Sequence, residues 1–133
     1  MEDKILFFEY FIDSLSQRNN NSLKGFTTLK LIKLLFLTVG VSSTEEDRGL
    51  TTVFNNFVAM PYGPVESDIY DTIRTDGLSK YNITSSQCAI KNSNANTTLD
   101  EDSKQIIDNA IKLLFERNPE ILSCQPFELV DIT

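Results

Sequence analysis

The chain has 133 residues, of which 41% are hydrophobic and 23% are charged, as is typical of one globular domain with a buried core. Its formal net charge is -7, and its 12 basic residues are spread along the sequence. This charge argues against a general nucleic-acid binder, because binding phosphates requires clustered Lys and Arg, and it suits a chain that masks a basic partner.

The first predicted helix covers residues 4–17. Apolar residues recur there at helical spacing, namely Ile5, Phe8, Ile12 and Leu15. The polar residues 18–22 end it. This pattern indicates an amphipathic packing helix with no catalytic motif.

The second predicted helix begins at Thr27 or Thr28 and ends at Gly40, which suits a left-handed cap. Apolar residues surround it, so we expect it to lie buried at the centre of the fold. Lys30 and Lys33 share one stripe of this helix. Two interpretations stay open: the lysines extend to solvent along one open edge, or they present a cationic edge to a partner's carboxylates.

The next segment is predicted to be helical as well. A capping box of Ser43 with Glu46 predicts a short helical turn. Residues 50–57 are predicted as a further helix, because Val53 and Phe54 fit helical spacing with Phe57.

A rigid corner follows at residues 60–64. Met60 and Gly63 each precede a proline, which disfavours the helical conformation. Pro64 suits the first position of a new helix, and Glu66 in its first turn is favoured by the helix dipole. Tyr62 either packs under the turn or stands exposed as an aromatic anchor.

The last third of the chain contains a predicted hairpin and two predicted helices. Residues 81–84 and 88–90 fit a small β-hairpin. A capping box of Thr98 with Glu101 opens a helix to about Arg117. A last helical turn is predicted at 127–132, and its apolar residues are typical of a truncated chain or of an edge that meets a partner.

These elements predict a single, mainly α domain over residues 1–133. We expect a compact bundle of about five to six helices around the buried central helix, with room for one small β-hairpin.

The residues needed for catalysis are missing. The sequence has no histidine, and its five glycines never cluster into a phosphate-binding loop. Its neighbouring carboxylates occur where helix starts or solvated faces account for them. We therefore expect a protein that is not an enzyme and that needs no cofactor or metal.

The sequence also predicts a cytoplasmic chain without a membrane partner. It shows no secretory signal before the first apolar residues and no run long enough to span a bilayer. Cys88 and Cys124 are far apart, and we expect them to be idle free thiols.

Two runs of the sequence carry a family resemblance. The first is Thr28-Leu29-Lys30-Leu31-Ile32-Lys33-Leu34-Leu35-Phe36, and the second is Phe57-Val58-Ala59 with Tyr62-Gly63-Pro64-Val65 and then Tyr70. Together they resemble the Panacea antitoxin domain, the SocA-like, phage-associated family. The similarity spans about residues 23 to 133, although Met60-Pro61 departs from the family pattern and the family's late histidine is missing.

The resemblance implies a neutralising role in a bacterial or phage toxin–antitoxin system. The partner would be a cognate toxin protein, bound in a direct complex, and a protease or chaperone if the domain acts as an adaptor. A DNA-binding regulator of its own operon is the alternative from another class, although nucleic acid is disfavoured by the charge. The candidate partner-binding residues are Lys30, Lys33, Tyr62, Pro64, Glu66 and Tyr70.

Overall fold

The computed structural model describes residues 2–43, 49–61, 63–93 and 99–123. Within these residues it contains four α-helices and two antiparallel two-stranded sheets. In chain order these elements are α1 Glu2–Arg18, α2 Thr28–Ser42, β1 Phe57–Met60, β2 Gly63–Glu66, α3 Ser67–Arg74, β3 Tyr81–Ile83, β4 Cys88–Ile90 and α4 Glu101–Arg117. The expected bundle of five to six helices is therefore wrong, because a β-hairpin stands where further helix was predicted.

The second helix, α2, is central as predicted. It contacts α4, α3, β2 and the 3₁₀ turn Gly49–Thr52, and it buries most of its circumference. Thr27 is its N-cap, with the side-chain oxygen accepting the N–H of Lys30. The predicted end at Gly40 is wrong, since the helix continues to Ser42. A helical glycine costs only about 1 kcal/mol, which the packing of Val41 on the core can offset.

Residues 50–66 hold the largest error of the sequence analysis. Residues 50–57 form the 3₁₀ turn and the start of β1 instead of a helix. Phe57 meets Phe36 of α2 edge to face, with ring centroids 5.6 Å apart. Because a turn followed by a strand brings Phe54 and Phe57 to the core as well as a helix would, the apolar spacing alone could not separate the two.

The predicted start of α3 at Pro64 is three residues too early. Pro64 lies in β2 opposite Ala59, and the helix begins at Ser67 with Glu66 as its N-cap. Oε1 of the Glu66 carboxylate accepts the N–H groups of Asp68 and Ile69, and Oε2 accepts the N–H of Asn56. A capping carboxylate satisfies the free amides of the first turn, so Glu66 sets the helix start in place of the proline.

Helices α1 and α4 pack against each other, and their ranges lie close to those predicted from the sequence. Polar contacts join them, since Tyr10 Oη and Ser14 Oγ of α1 both donate to Asp108 of α4. The N-cap of α4 is Asp100, which accepts the N–H of Ser103, and not Thr98. Thr98 lies outside the described residues, as do Glu46, Cys124 and the predicted turn at 127–132.

The predicted hairpin at residues 81–90 is confirmed as β3 and β4, with Tyr81 opposite Ile90. The fully buried carboxylate of Glu9 on α1 accepts the backbone N–H groups of Ser79 and Lys80 at 3.0 Å each. Burial raises the pKa of Glu9, against the opposing effect of these two hydrogen bonds. Cys88 is free and buried, and burial raises the pKa of its thiol to about 12.

Candidate partner-binding surface

Strand β1 is the outer strand of its sheet and is mostly exposed. Its inner neighbour β2 lies against α2, whereas Val58 and Met60 of β1 are 40% and 41% exposed. These two side chains point to the same face, because they are two residues apart in a strand. Ala59 and Pro61 beside them are exposed as well. We call Val58, Ala59, Met60 and Pro61 the hairpin surface.

The register of the hairpin determines which backbone groups of β1 face outward. Ser67 N donates to Asn56 O at 2.8 Å, which makes residues 56 and 67 a hydrogen-bonded pair. Antiparallel ladders alternate, so Val58 and Met60 also bond to β2, while Phe57 and Ala59 do not. Pro64 agrees with this register, because its missing N–H falls opposite Ala59, where no ladder bond is made.

The base of the hairpin is fixed by a buried ion pair. Lys4 Nζ of α1 donates to Glu66 Oε2 at 3.0 Å, and the same oxygen accepts the N–H of Asn56 at 3.0 Å. Glu66 is 0% exposed, so every donor it meets belongs to the fold. The ion pair therefore joins α1 to the sheet and to the start of α3, and it holds the hairpin surface in a defined orientation.

An open cleft lies next to the start of β1. Among the described residues its lining includes Asp3, Lys4, Phe7, Asn55 and Asp68. Lys4 Nζ also donates to Asp68 Oδ2 at 2.6 Å, and this hydrogen bond lowers the pKa of Asp68. Burial alone would lower the pKa of Lys4, but its bonds to Asp68 and Glu66 outweigh that effect and raise it.

The two lysines of α2 are buried and do not form an exposed edge, so the expected extension of their side chains to solvent is wrong. Lys33 is 0% exposed, and within the described part of the chain its Nζ has no hydrogen-bond partner. Burial lowers the pKa of Lys33. Lys30 is also buried, and its Nζ donates to the carbonyl oxygen of Leu122. Sequence spacing could not show this, because the covering residues come from distant parts of the chain.

The other candidates lie at different places. Tyr62 is outside the described residues. Pro64 is half-buried in β2, Glu66 is fully buried, and Tyr70 is half-buried on α3 with the Arg74 guanidinium 5.6 Å from its ring. The structure thus brings Pro64 to the hairpin surface, whereas Lys30 and Lys33 are buried on α2. A direct role of these six residues in partner binding remains a prediction.

The exposure of Val58, Ala59 and Met60 was not predicted. All four residues of β1 are apolar, so no alternation of apolar and polar residues marks a strand or an exposed face there. Among the residues described here, no group of three His, Cys, Asp or Glu side chains could hold a metal ion. No described helix has the length and apolar character needed to cross a bilayer.

A small helical domain that presents a rigid, partly apolar β-hairpin is suited to binding another macromolecule, and the family comparison agrees. The family model described as antitoxin SocA-like, Panacea domain matches residues 31–133, and the chain belongs to this family. The match begins within α2 and includes the hairpin surface, while α1 precedes it. No curated protein and no solved structure matches the chain. Membership supports an antitoxin-type role and, in general terms, a toxin as the partner.

Proposed function

We propose that this protein neutralises a cognate toxin in a bacterial or phage toxin–antitoxin system by forming a direct complex in the cytoplasm. The observation that carries the proposal is the exposed pair Val58 and Met60 on the outer strand, inside the matched antitoxin domain. Adjacent exposed apolar side chains next to polar ones are typical of protein-binding surfaces.

The anchoring of the hairpin supports the same proposal. A preorganised surface loses little conformational freedom on binding, which favours affinity. Here the base of the hairpin is held by Glu66 and Lys4, and its inner strand by the core residue Val65. Of the two described strands of this hairpin, the outer one remains free to contact a partner.

The charge of the chain supports a basic toxin surface. The formal net charge is -7, and Asp3 and Asp68 lie in the cleft beside β1. Complementary charge raises the association rate and disfavours wrong partners more than it adds affinity. We therefore expect complex formation to slow as salt is added.

A co-expression experiment tests this function. The gene next to that of this chain is expressed with it, and growth rescue and co-purification are scored together. The variant Val58→Asp/Met60→Asp places charges on the hairpin surface, and Ile90→Asp is its control, since Ile90 is 56% exposed on the other hairpin.

We expect the wild type and Ile90→Asp to rescue growth and co-purify with the toxin. The double variant should bind at least about tenfold more weakly, as is common when central interface residues are changed. Failure of the wild type to rescue or bind would refute direct neutralisation. Normal binding by the double variant would refute the proposed surface.

A further inference from the structure

The outer edge of β1 has backbone groups available for another strand. The N–H and C=O groups of Phe57 and Ala59 point away from β2, and within the described ranges no other strand pairs with that edge. Natural sheets usually protect such edges with charged residues, prolines or a covering element. None of the residues in Phe57–Met60 is charged or a proline.

The two edges of this hairpin differ. Strand β2 has Pro64 at an outward position, and its last two residues, Val65 and Glu66, are buried against the body of the protein. Strand β1 has three exposed residues in a row. The edge left open is thus the one that also carries the apolar side chains Val58 and Met60.

We propose that an extended segment of the toxin adds to this sheet as a third strand, bonded to the N–H and C=O groups of Phe57 and Ala59. This inference rests on the proposed function and gives its binding mode. In such strand addition, main-chain hydrogen bonds supply affinity and side-chain contacts supply specificity. The segment presents apolar side chains to Val58 and Met60.

The surrounding charge identifies the toxin, not a second copy of this chain, as the occupant. Two copies would bring together two chains with a net charge of -7 each. A strand that passes Phe57 also reaches the cleft, which is lined by the carboxylates of Asp3 and Asp68. A basic side chain next to the apolar part of the toxin segment would be attracted to these carboxylates.

The variant Ala59→Pro tests strand addition directly. It removes an outward N–H but no hydrogen bond to β2, because Ala59 and Pro64 form a pair without ladder bonds. Ala59→Val is the matched control, since it adds a side chain and keeps the N–H. With the purified neighbour-encoded toxin, we expect Ala59→Pro to weaken the Kd about tenfold and Ala59→Val to leave it within about twofold.

Amide hydrogen exchange in the wild-type chain provides a second test that needs no variant. In the free protein the outward amides of Phe57 and Ala59 should exchange fast, while those of Val58 and Met60 are protected by β2. Addition of the toxin should slow exchange at Phe57 and Ala59 at least about tenfold, because each amide then donates to the added strand.

The outcomes separate this inference from the proposed function. Wild-type binding with an unaffected Ala59→Pro variant and fast exchange at Phe57 and Ala59 would overturn strand addition and leave direct neutralisation standing. Absence of any wild-type complex would overturn both. If this chain alone ran as a dimer on a sizing column, with slow exchange at Phe57 and Ala59, a second copy and not the toxin would be the strand that pairs with β1.

Discussion

Lys4 and Lys33 are two of the three lysines that are buried among the described residues, and the surroundings of their ammonium groups differ. Lys4 on α1 has three acceptors around its Nζ: Asp68 Oδ2 at 2.6 Å, Glu66 Oε2 at 3.0 Å and Asn55 Oδ1 at 3.1 Å. Lys33 on α2 is more deeply buried, and the described residues offer its Nζ no acceptor. The pKa of Lys4 is raised and that of Lys33 is lowered.

The difference shows that burial of a charged group does not by itself reveal its contribution to stability. At Lys4, hydrogen bonds and opposite charges compensate the loss of water, so the side chain links α1 to the hairpin. At Lys33 that compensation is missing, and the side chain is expected to destabilise the fold. Four predictions would sharpen or break this contrast.

The largest effect is expected from removing the Glu66 carboxylate, which accepts hydrogen bonds from both Lys4 and backbone N–H groups. Glu66→Ala leaves the amides of Asn56, Asp68 and Ile69 without their acceptor and weakens the support of Lys4. We expect the free energy of unfolding to fall by about 3–5 kcal/mol, measured by urea denaturation at neutral pH.

Glu9→Ala is the control for that measurement. Glu9 is as deeply buried as Glu66 and accepts two backbone amides where Glu66 accepts three, but no ammonium bonds to it in the described structure. Its removal should cost about 1–3 kcal/mol. Equal losses in the two variants would mean that the ion pair with Lys4 adds nothing.

Replacement of Lys33 should raise the free energy of unfolding instead of lowering it. Lys33→Met keeps a long flexible side chain and removes the buried amine, so we expect a gain of about 1–3 kcal/mol in the free energy of unfolding. Lys30→Met serves as the control and should not stabilise, because Lys30 donates to Leu122 O. A loss of stability in Lys33→Met would show that the amine has a compensating partner.

The pH dependence of stability should separate the two lysines further. The pKa of Lys33 is lower in the folded than in the unfolded chain, where it is near 10.5, so the unfolded chain binds more protons between the two values. Stability at this site therefore rises with pH, by less than about 1.4 kcal/mol per unit. The advantage of Lys33→Met should shrink as the pH approaches 10.5.

Lys4 should behave in the reverse way. Its raised folded pKa gives stability that is present below the unfolded value of 10.5 and is lost as the pH rises through the folded value. Urea titrations of the wild type, Lys4→Met and Lys33→Met over the alkaline range would show the two trends. If the free energy of unfolding changed with pH in the same way in both variants, the two lysines would not differ as proposed.

The smallest effect is expected at Asp68, a partly exposed carboxylate that accepts a hydrogen bond from Lys4. The Asp68 side chain is 36% exposed, so Asp68→Asn should cost about 1 kcal/mol or less. Its hydrogen bond from Lys4 lowers the pKa of Asp68 below 3.8, so this stability is present above that value and lost as the pH falls through the folded pKa. The difference in Tm between the wild type and Asp68→Asn should therefore be present at neutral pH and disappear at acidic pH, as thermal melts would show.

Local patterns made some of the structure predictable from the sequence. The apolar spacing of α1 and the apolar circumference of α2 gave both helices, and strand-favouring residues around a polar turn gave the β3–β4 hairpin. The motif around Thr28 and Pro64 indicated the family that the comparison confirms. These features depend on residues close in the chain, where periodicity is a reliable guide.

The candidate site was less predictable, because it depends on contacts between distant residues. Lys4 meets Glu66 across 62 positions, and Lys30 meets Leu122 across 92. The sequence by itself determined the helices α1, α2 and α4, the acidic charge and the family resemblance. Only the tertiary structure decided that Lys33 is covered, that Glu66 caps a helix and that β1 lies outermost, since burial is settled by which distant elements pack on which faces.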